Sequence, residues 1–192
     1  MDRPETPTGT SSSLLDRVKA HESGAWDRLV TLYAPLLYHW CRRWKLQEDD
    51  LADVFQEVFQ TLVVRIGAFR RERESDTFRG WLWTITRNKV LDHFRRRGRE
   101  AGTALSDIAA PEAPAATDPE EAEALRRLFL RGLELIRGEF EDRTWKAFWR
   151  TAVDGRAPRD VAGELSMTSG AVRGAKSRVL QRLREELGDS NP

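Results

Sequence analysis

The densest chemistry in the sequence lies between Phe78 and Arg99, FRGWLWTITRNKVLDHFRRRGR. Arg95, Arg96, Arg97 and Arg99 crowd its end. On a helix they face several directions and stand too close together to be neutralised by carboxylates of the same helix, so a phosphate backbone is the natural counter-charge. The plainer account is a core helix whose basic end suits the helix dipole. Ahead of the arginines, Phe78, Trp81, Leu82 and Ile85 recur at the i, i+3, i+4, i+7 spacing of a buried stripe. Trp83, Val90 and Phe94 fall on nearly the opposite side, so the helix is either sandwiched between two neighbours or offers an aromatic surface to a ligand. Asn88 and Asp92 extend the Trp81 and Ile85 stripe, where an unpaired polar group would cost about 1–3 kcal/mol and hydrogen bonding is therefore expected.

Two other stretches carry spaced polar chemistry. Asp49 to Ile66 places Leu51, Val54, Phe55, Val58, Phe59, Leu62 and Ile66 on one helical face, with Asp53, Gln56, Glu57 and Gln60 on the other. No Lys or Arg occurs between Lys45 and Arg65, so this acidic face is expected to stand open to a basic partner. Near the end of the chain, Ala162, Ser166 and Val172 have the spacing of a helix-turn-helix. Ser166 stands where such turns usually have Gly, and a left-handed conformation there costs about 1 kcal/mol. Thr168 suits the N-cap of the second helix. That helix buries Val172, Val179, Leu183 and Leu187 and turns Arg173, Lys176, Ser177 and Gln181 outward, side chains able to read a DNA groove. The run GAVRGAKS, residues 170–177, misses a phosphate-binding P-loop because Ala175 stands where its second Gly is required and because it lies inside a helix.

The elements that hold these groups are helical throughout. Leu14 to Lys45 has a helical period that Pro35 should kink or break near Tyr33. His39 and Cys41, two apart, point away from each other and make no metal site. Gly67 to Thr77 is a charged loop ending in the capping residues Ser75, Asp76 and Thr77. After Arg99 the composition turns to Ala, Pro and acid, the mark of a flexible linker. From Leu125 the helical period returns through Trp145 and Trp149, which carry no functional clue. The 192 residues have a formal charge of +1, yet arginines crowd at 70–73 and 95–99 while every charged residue from Glu100 to Glu123 is acidic. One cysteine fits a reducing compartment, and no apolar run approaches a membrane span. No Ser/His/Asp set, carboxylate pair or metal cluster suggests catalysis.

Taken in order, the three stretches resemble the small extracytoplasmic-function (ECF) sigma factors of bacterial RNA polymerase, in the sigma-70 family. DLADVFQEVFQTLV is similar to that family's core-polymerase-binding helix, FRGWLWTITRNKVLDHFRRR to its promoter-melting segment, and DVAGELSMTSGAVRGAKSRVLQRLRE to its second promoter-reading domain. The resemblance implies an all-α chain: a disordered tail over 1–13, a region 2-like helical domain over 14–99, a flexible acidic linker over 100–124, and a region 4-like helix-turn-helix domain over 125–192. It implies core-polymerase contacts from Asp50, Asp53, Gln56, Glu57 and Gln60. It implies minus-ten contacts from the loop Phe69 to Thr77, with Arg70 and Arg71, and from Arg87, Asn88, Lys89, Asp92, Arg95 and Arg96. Minus-thirty-five contacts fall to Thr168, Ser169, Arg173, Lys176, Ser177 and Arg178. The implied partners are core RNA polymerase and promoter DNA, with an anti-sigma factor as a further class, in the cytoplasm, with no membrane insertion, cofactor or metal. The rival reading is a one-component regulator with a helical sensor domain, which requires a ligand pocket and dimeric operator binding.

Overall fold

The computed structural model describes residues 13–44, 46–70, 72–73, 76–100 and 118–188, and every regular element among them is helical. Helix α1 (Leu14–Lys19) starts at Ser13, whose hydroxyl accepts the Asp16 amide. It ends where His21 and Gly24 turn left-handed, at φ 55° and 75°. Helix α2 (Ala25–Arg43) then runs through Pro35 without a break. The interruption expected near Tyr33 thus falls at residues 20–24 instead. Gly24 supplies the left-handed backbone cheaply, while the one donor lost at Pro35 is outweighed by the buried face of Leu29, Leu32, Tyr33, Leu36, Leu37 and Trp40. Burial pushes the neighbouring Cys41 thiol up to about 12, and it packs as an apolar side chain.

Helix α3 (Glu48–Arg65) passes into a short 3-10 turn at Ile66–Ala68, and α4 (Phe78–Glu100) follows the loop. α4 is the sandwiched helix of the two alternatives. Phe78 meets Tyr33 and Phe69 edge-on at 5.0 and 5.7 Å, and Trp83 meets Trp40 edge-on at 5.2 Å. Such pairs add about 0.5–1.5 kcal/mol beyond their buried area, so the Phe78 and Trp83 rings are core, while Trp81 stays only partly buried.

Helix α5 (Pro119–Ile136) begins inside the segment assigned to the linker. The Asp118 carboxylate accepts the Glu120 amide at 3.0 Å, and Pro119 opens the first turn. This start signal overrides the apolar-poor composition. The expected tail (apart from its last residue) and residues 101–117 of the linker lie outside the described residues. Then come α6 (Asp142–Ala152), α7 (Pro158–Glu164) and α8 (Ser169–Glu186). Trp145 and Trp149 stack at 6.2 Å on the side of α6, with the Arg137 guanidinium 5.1 Å above Trp145.

The two halves share one hydrophobic core in which Leu29 and Trp40 join Leu128, Ile136, Leu183 and Leu187. Polar ties close the seam. The Tyr33 hydroxyl donates to the Leu187 carbonyl at 2.6 Å, and Arg28 pairs with the fully buried Glu186. Glu121, also fully buried, accepts from Trp40 Nε1 at 3.1 Å and from Arg79 at 3.1 Å, with His39 Nε2 3.4 Å away. Gly188, at φ 65°, leaves no room for a Cβ, which would stand 2.7 Å from Leu15.

Candidate nucleic-acid interface

The acidic face of α3 and the basic end of α4 lie side by side. Asp50 and Glu57, seven residues apart, fall on one stripe of α3, and Lys89, His93, Arg96 and Arg97 form a matching stripe on α4. Asp50 pairs with Arg97, and Glu57 with Arg96 and, at 3.7 Å, with Lys89. The expectation of an open acidic face is therefore corrected: its basic partner is within the same chain. The spacing argument considered only the α3 segment and so missed arginines 39 and 47 positions further along the chain. Asp53, Gln56 and Gln60 stay exposed and enter no ion pair among the described residues. Arg95 pairs with Asp92 at 3.1 Å, while Arg87, half-buried, has no carboxylate partner among the described residues. Asn88 and Asp92 are both exposed, so the buried hydrogen bonding expected of them is corrected too; the core stripe ends at Ile85 and that side of the helix meets solvent.

The loop before α4 is built from its own polar groups. Asp76 accepts the Glu72 and Arg73 amides at 3.2 and 2.9 Å, and Thr77 accepts the Gly80 amide at 3.0 Å as the cap of α4. Lys19 donates to the Phe69 carbonyl at 3.0 Å, and Phe69 packs on Trp81 at 5.0 Å. Arg70 donates to the same carbonyl and to that of Gly67, so its guanidinium is partly spent on holding the loop. Arg71 and the cap candidate Ser75 lie outside the described residues. Between loop and helix is a cleft of about 450 Å³ lined by Phe69, Arg70, Asp76, Thr77, Trp81 and Thr84 among others. An aromatic wall with hydroxyl and carboxylate groups suits an unstacked base. Asn88 is absent from this lining; it borders a second cleft with Val64, Ile85, Lys89 and Asp92. Thr84 and Trp81 were missed in the sequence, where Trp81 reads as core and Thr84 shows no pattern.

In the second half, α7 and α8 meet through Val161, Ala162, Val172 and Ala175, all buried. Ser166 adopts the left-handed φ of 49° expected of it. Arg143, on α6, donates to the carbonyls of Leu165, at 2.9 Å, and of Ser166, a support the sequence did not disclose. Arg156, with Arg150 beside it, holds the Glu164 carboxyl below the usual carboxylate range and fastens the end of α7. Thr168 caps α8 by accepting the Ala171 amide at 3.1 Å. Arg173, Ser177 and Arg178 are exposed, Lys176 and Ser169 half-buried, and none of the three cations has a carboxylate partner among the described residues. The P-loop-like run lies within α8, as the sequence reading required.

The sequence is similar to those of known proteins. Residues 29–100, which run from within α2 through α3 to the end of α4, match the family Sigma-70 region 2. The chain is 30% identical to the ECF RNA polymerase sigma factor SigE of Mycolicibacterium smegmatis over 85% of its own length and 62% of that protein. It is 27% identical to the ECF RNA polymerase sigma factor BldN of Streptomyces coelicolor, over 64% of this chain and 53% of that one. With the RNA polymerase sigma factor CnrH of Cupriavidus metallidurans it shares 26% identity, over 88% and 92% of the two chains. The chain thus spans less than two thirds of the first two relatives. No helix among the described residues is long and apolar enough to cross a membrane.

Proposed function

We propose that this chain is an ECF-type sigma factor of the sigma-70 family that binds core RNA polymerase and directs it to specific promoters in the cytoplasm, as a regulatory factor and not a catalyst. The observation that carries the reading is the coincidence of the matched segment, 29–100, with the helices that juxtapose the acidic stripe of α3 and the basic end of α4. In this reading Asp50, Asp53, Gln56, Glu57 and Gln60 meet the polymerase. Arg95 and Arg96 grip duplex phosphates at the minus-ten element, with Arg70, Arg71, Arg87, Lys89 and Asp92 beside them. The second half, from α5 onward, reads the upstream promoter element while packed on the first, and α8 enters the major groove of the minus-thirty-five element through Arg173, Lys176, Ser177 and Arg178, positioned by Thr168 and Ser169.

Melting follows from the loop cleft. A base taken out of the stack costs a few kcal/mol, which stacking and hydrogen bonds to its exposed edge must offset. Phe69 and Trp81 supply the stacking surface, and Thr77, Asp76 and Thr84 supply the polar groups. Asn88 contacts flanking nucleotides from its separate cleft. Run-off transcription with purified core polymerase and a promoter library tests the function as a whole, and a fluorescent base analogue in the minus-ten element reports unstacking. Thr84→Ala should slow strand opening more than Asn88→Ala does. Normal opening in a Thr84 and Trp81 double variant would assign melting elsewhere. The rival regulator is not favoured, since the relatives just described are sigma factors.

A further inference from the structure

We propose that the carboxylates of α3 stand in for DNA phosphate on the cations of α4, so that polymerase binding and DNA binding compete for the same intramolecular ion pairs and thereby reinforce each other. This rests on the reading that α3 meets polymerase and α4 meets DNA.

The argument begins with what each carboxylate holds. Glu57 takes Arg96 and Lys89, and Asp50 takes Arg97, with His93 Nε2 3.4 Å from its other oxygen. Three of the cations best placed for a phosphate backbone are thus occupied before any DNA arrives. A carboxylate and a phosphate oxygen are alternative acceptors for one guanidinium, so DNA engages these cations only by displacing the carboxylates. The exchange is easy, because partly exposed pairs hold by no more than about fivefold each. The two helices enclose an open polar cleft of about 580 Å³ in which Asp53, Gln56 and Gln60 stand beside the pairs. A basic surface arriving there draws Asp50 and Glu57 toward itself and releases Arg96 and Arg97. By linkage the effect is reciprocal: whatever factor polymerase adds to DNA affinity, DNA adds to polymerase affinity.

The test separates this device from the function it serves. The full chain, without polymerase, is titrated onto a duplex of unrelated sequence across a salt series. Asp50→Asn with Glu57→Gln should raise affinity about three- to tenfold at low salt and steepen the salt dependence by about one unit, because each freed arginine now binds without giving up a carboxylate. Glu57→Gln alone should fall between. Asp27→Asn with Asp49→Asn removes the same charge from exposed carboxylates that enter no ion pair among the described residues and should change affinity less than twofold. Equal rises in the two double variants would reduce the effect to net charge and overturn the proposal, as would no rise in the first. With polymerase present, promoter DNA should tighten polymerase binding to the wild-type chain more than to the Asp50→Asn, Glu57→Gln variant; an undiminished factor also overturns it. A wild-type chain that binds no polymerase would refute the function instead, while the polymerase-free titration still decides whether α3 guards α4.

Discussion

Four basic residues of α4 and three of α8 are alike in type and differ in company. Lys89, Arg95, Arg96 and Arg97 each face a carboxylate, whereas Arg173, Lys176 and Arg178 face none among the described residues. The difference teaches that a cation's value to a nucleic-acid ligand depends on what it must release. In the proposed reading, α8 would gain the whole interaction with DNA, less the cost of desolvation. There α4 would gain only the difference between a phosphate and a carboxylate, which is smaller and depends on what else binds the carboxylate.

The largest expected effect tests what the paired side of this comparison is for. Asp53→Lys with Glu57→Lys should cost about 2–5 kcal/mol in core-polymerase binding and abolish co-purification. Helicity by circular dichroism should persist, because surface substitutions usually cost under about 0.5 kcal/mol, even though the second of these changes sets a positive charge against Lys89 and Arg96. Co-purification at the wild-type level would remove α3 from the interface. Next is the unpaired side, where Arg173→Ala should lose about 1–3 kcal/mol of discrimination at a single base pair. Competition with singly substituted minus-thirty-five duplexes measures it, and a loss spread evenly over all sequences would make Arg173 a phosphate anchor.

A smaller effect sharpens the contrast directly. Two free cations lost from a phosphate contact should lower the salt slope of binding by about 1.8, but Arg95→Ala with Arg96→Ala should lower it by only about 1, because Asp92 and Glu57 are released in exchange. A drop of the full size would erase the distinction between the helices. The smallest lever is how α8 is presented. Ser166→Gly should relieve the left-handed strain and, after the entropy glycine loses on folding, stabilise the chain by up to about 1 kcal/mol. A rise of a few degrees in Tm is the expected reading, and a fall would mean that the Ser166 side chain contributes more than its backbone costs.

Much of this was legible in the sequence because it is local. The apolar periods of α3 and α8 are uninterrupted and that of α4 holds as far as Ile85, and the Thr168 cap and the left-handed Ser166 follow from residue type and position alone. What was not legible is tertiary. Nothing in the spacing of Asp50 and Glu57 says that Arg96 and Arg97 lie opposite, because that pairing depends on how two helices pack across a loop. The same limit hid Arg143, which supports a turn more than twenty positions away, and left Asn88 and Asp92 misjudged as buried. The start of α5 was obscured for a different reason. A composition average over 100–124 diluted the Asp118–Pro119 start signal, and Glu121 looked like one more linker acid although it is fully buried against Trp40 and Arg79.

The seam between the halves also sets an order of events in time. The Tyr33 hydroxyl finds its acceptor 154 positions later in the chain, and the place beside Leu15 is filled by Gly188. During synthesis, then, α1 and α2 should emerge with Leu15 uncovered and the Leu187 acceptor of the Tyr33 hydroxyl still to come, on the side that α8 covers, although the Tyr33 ring can already meet Phe78. Such late, long-range closure leaves apolar surface open to chaperones and proteases until α8 has emerged. Arrested chains that stop before α8 should be the protease-sensitive species, and limited digestion of ribosome-bound products of increasing length should show protection rising once α8 and Gly188 have emerged.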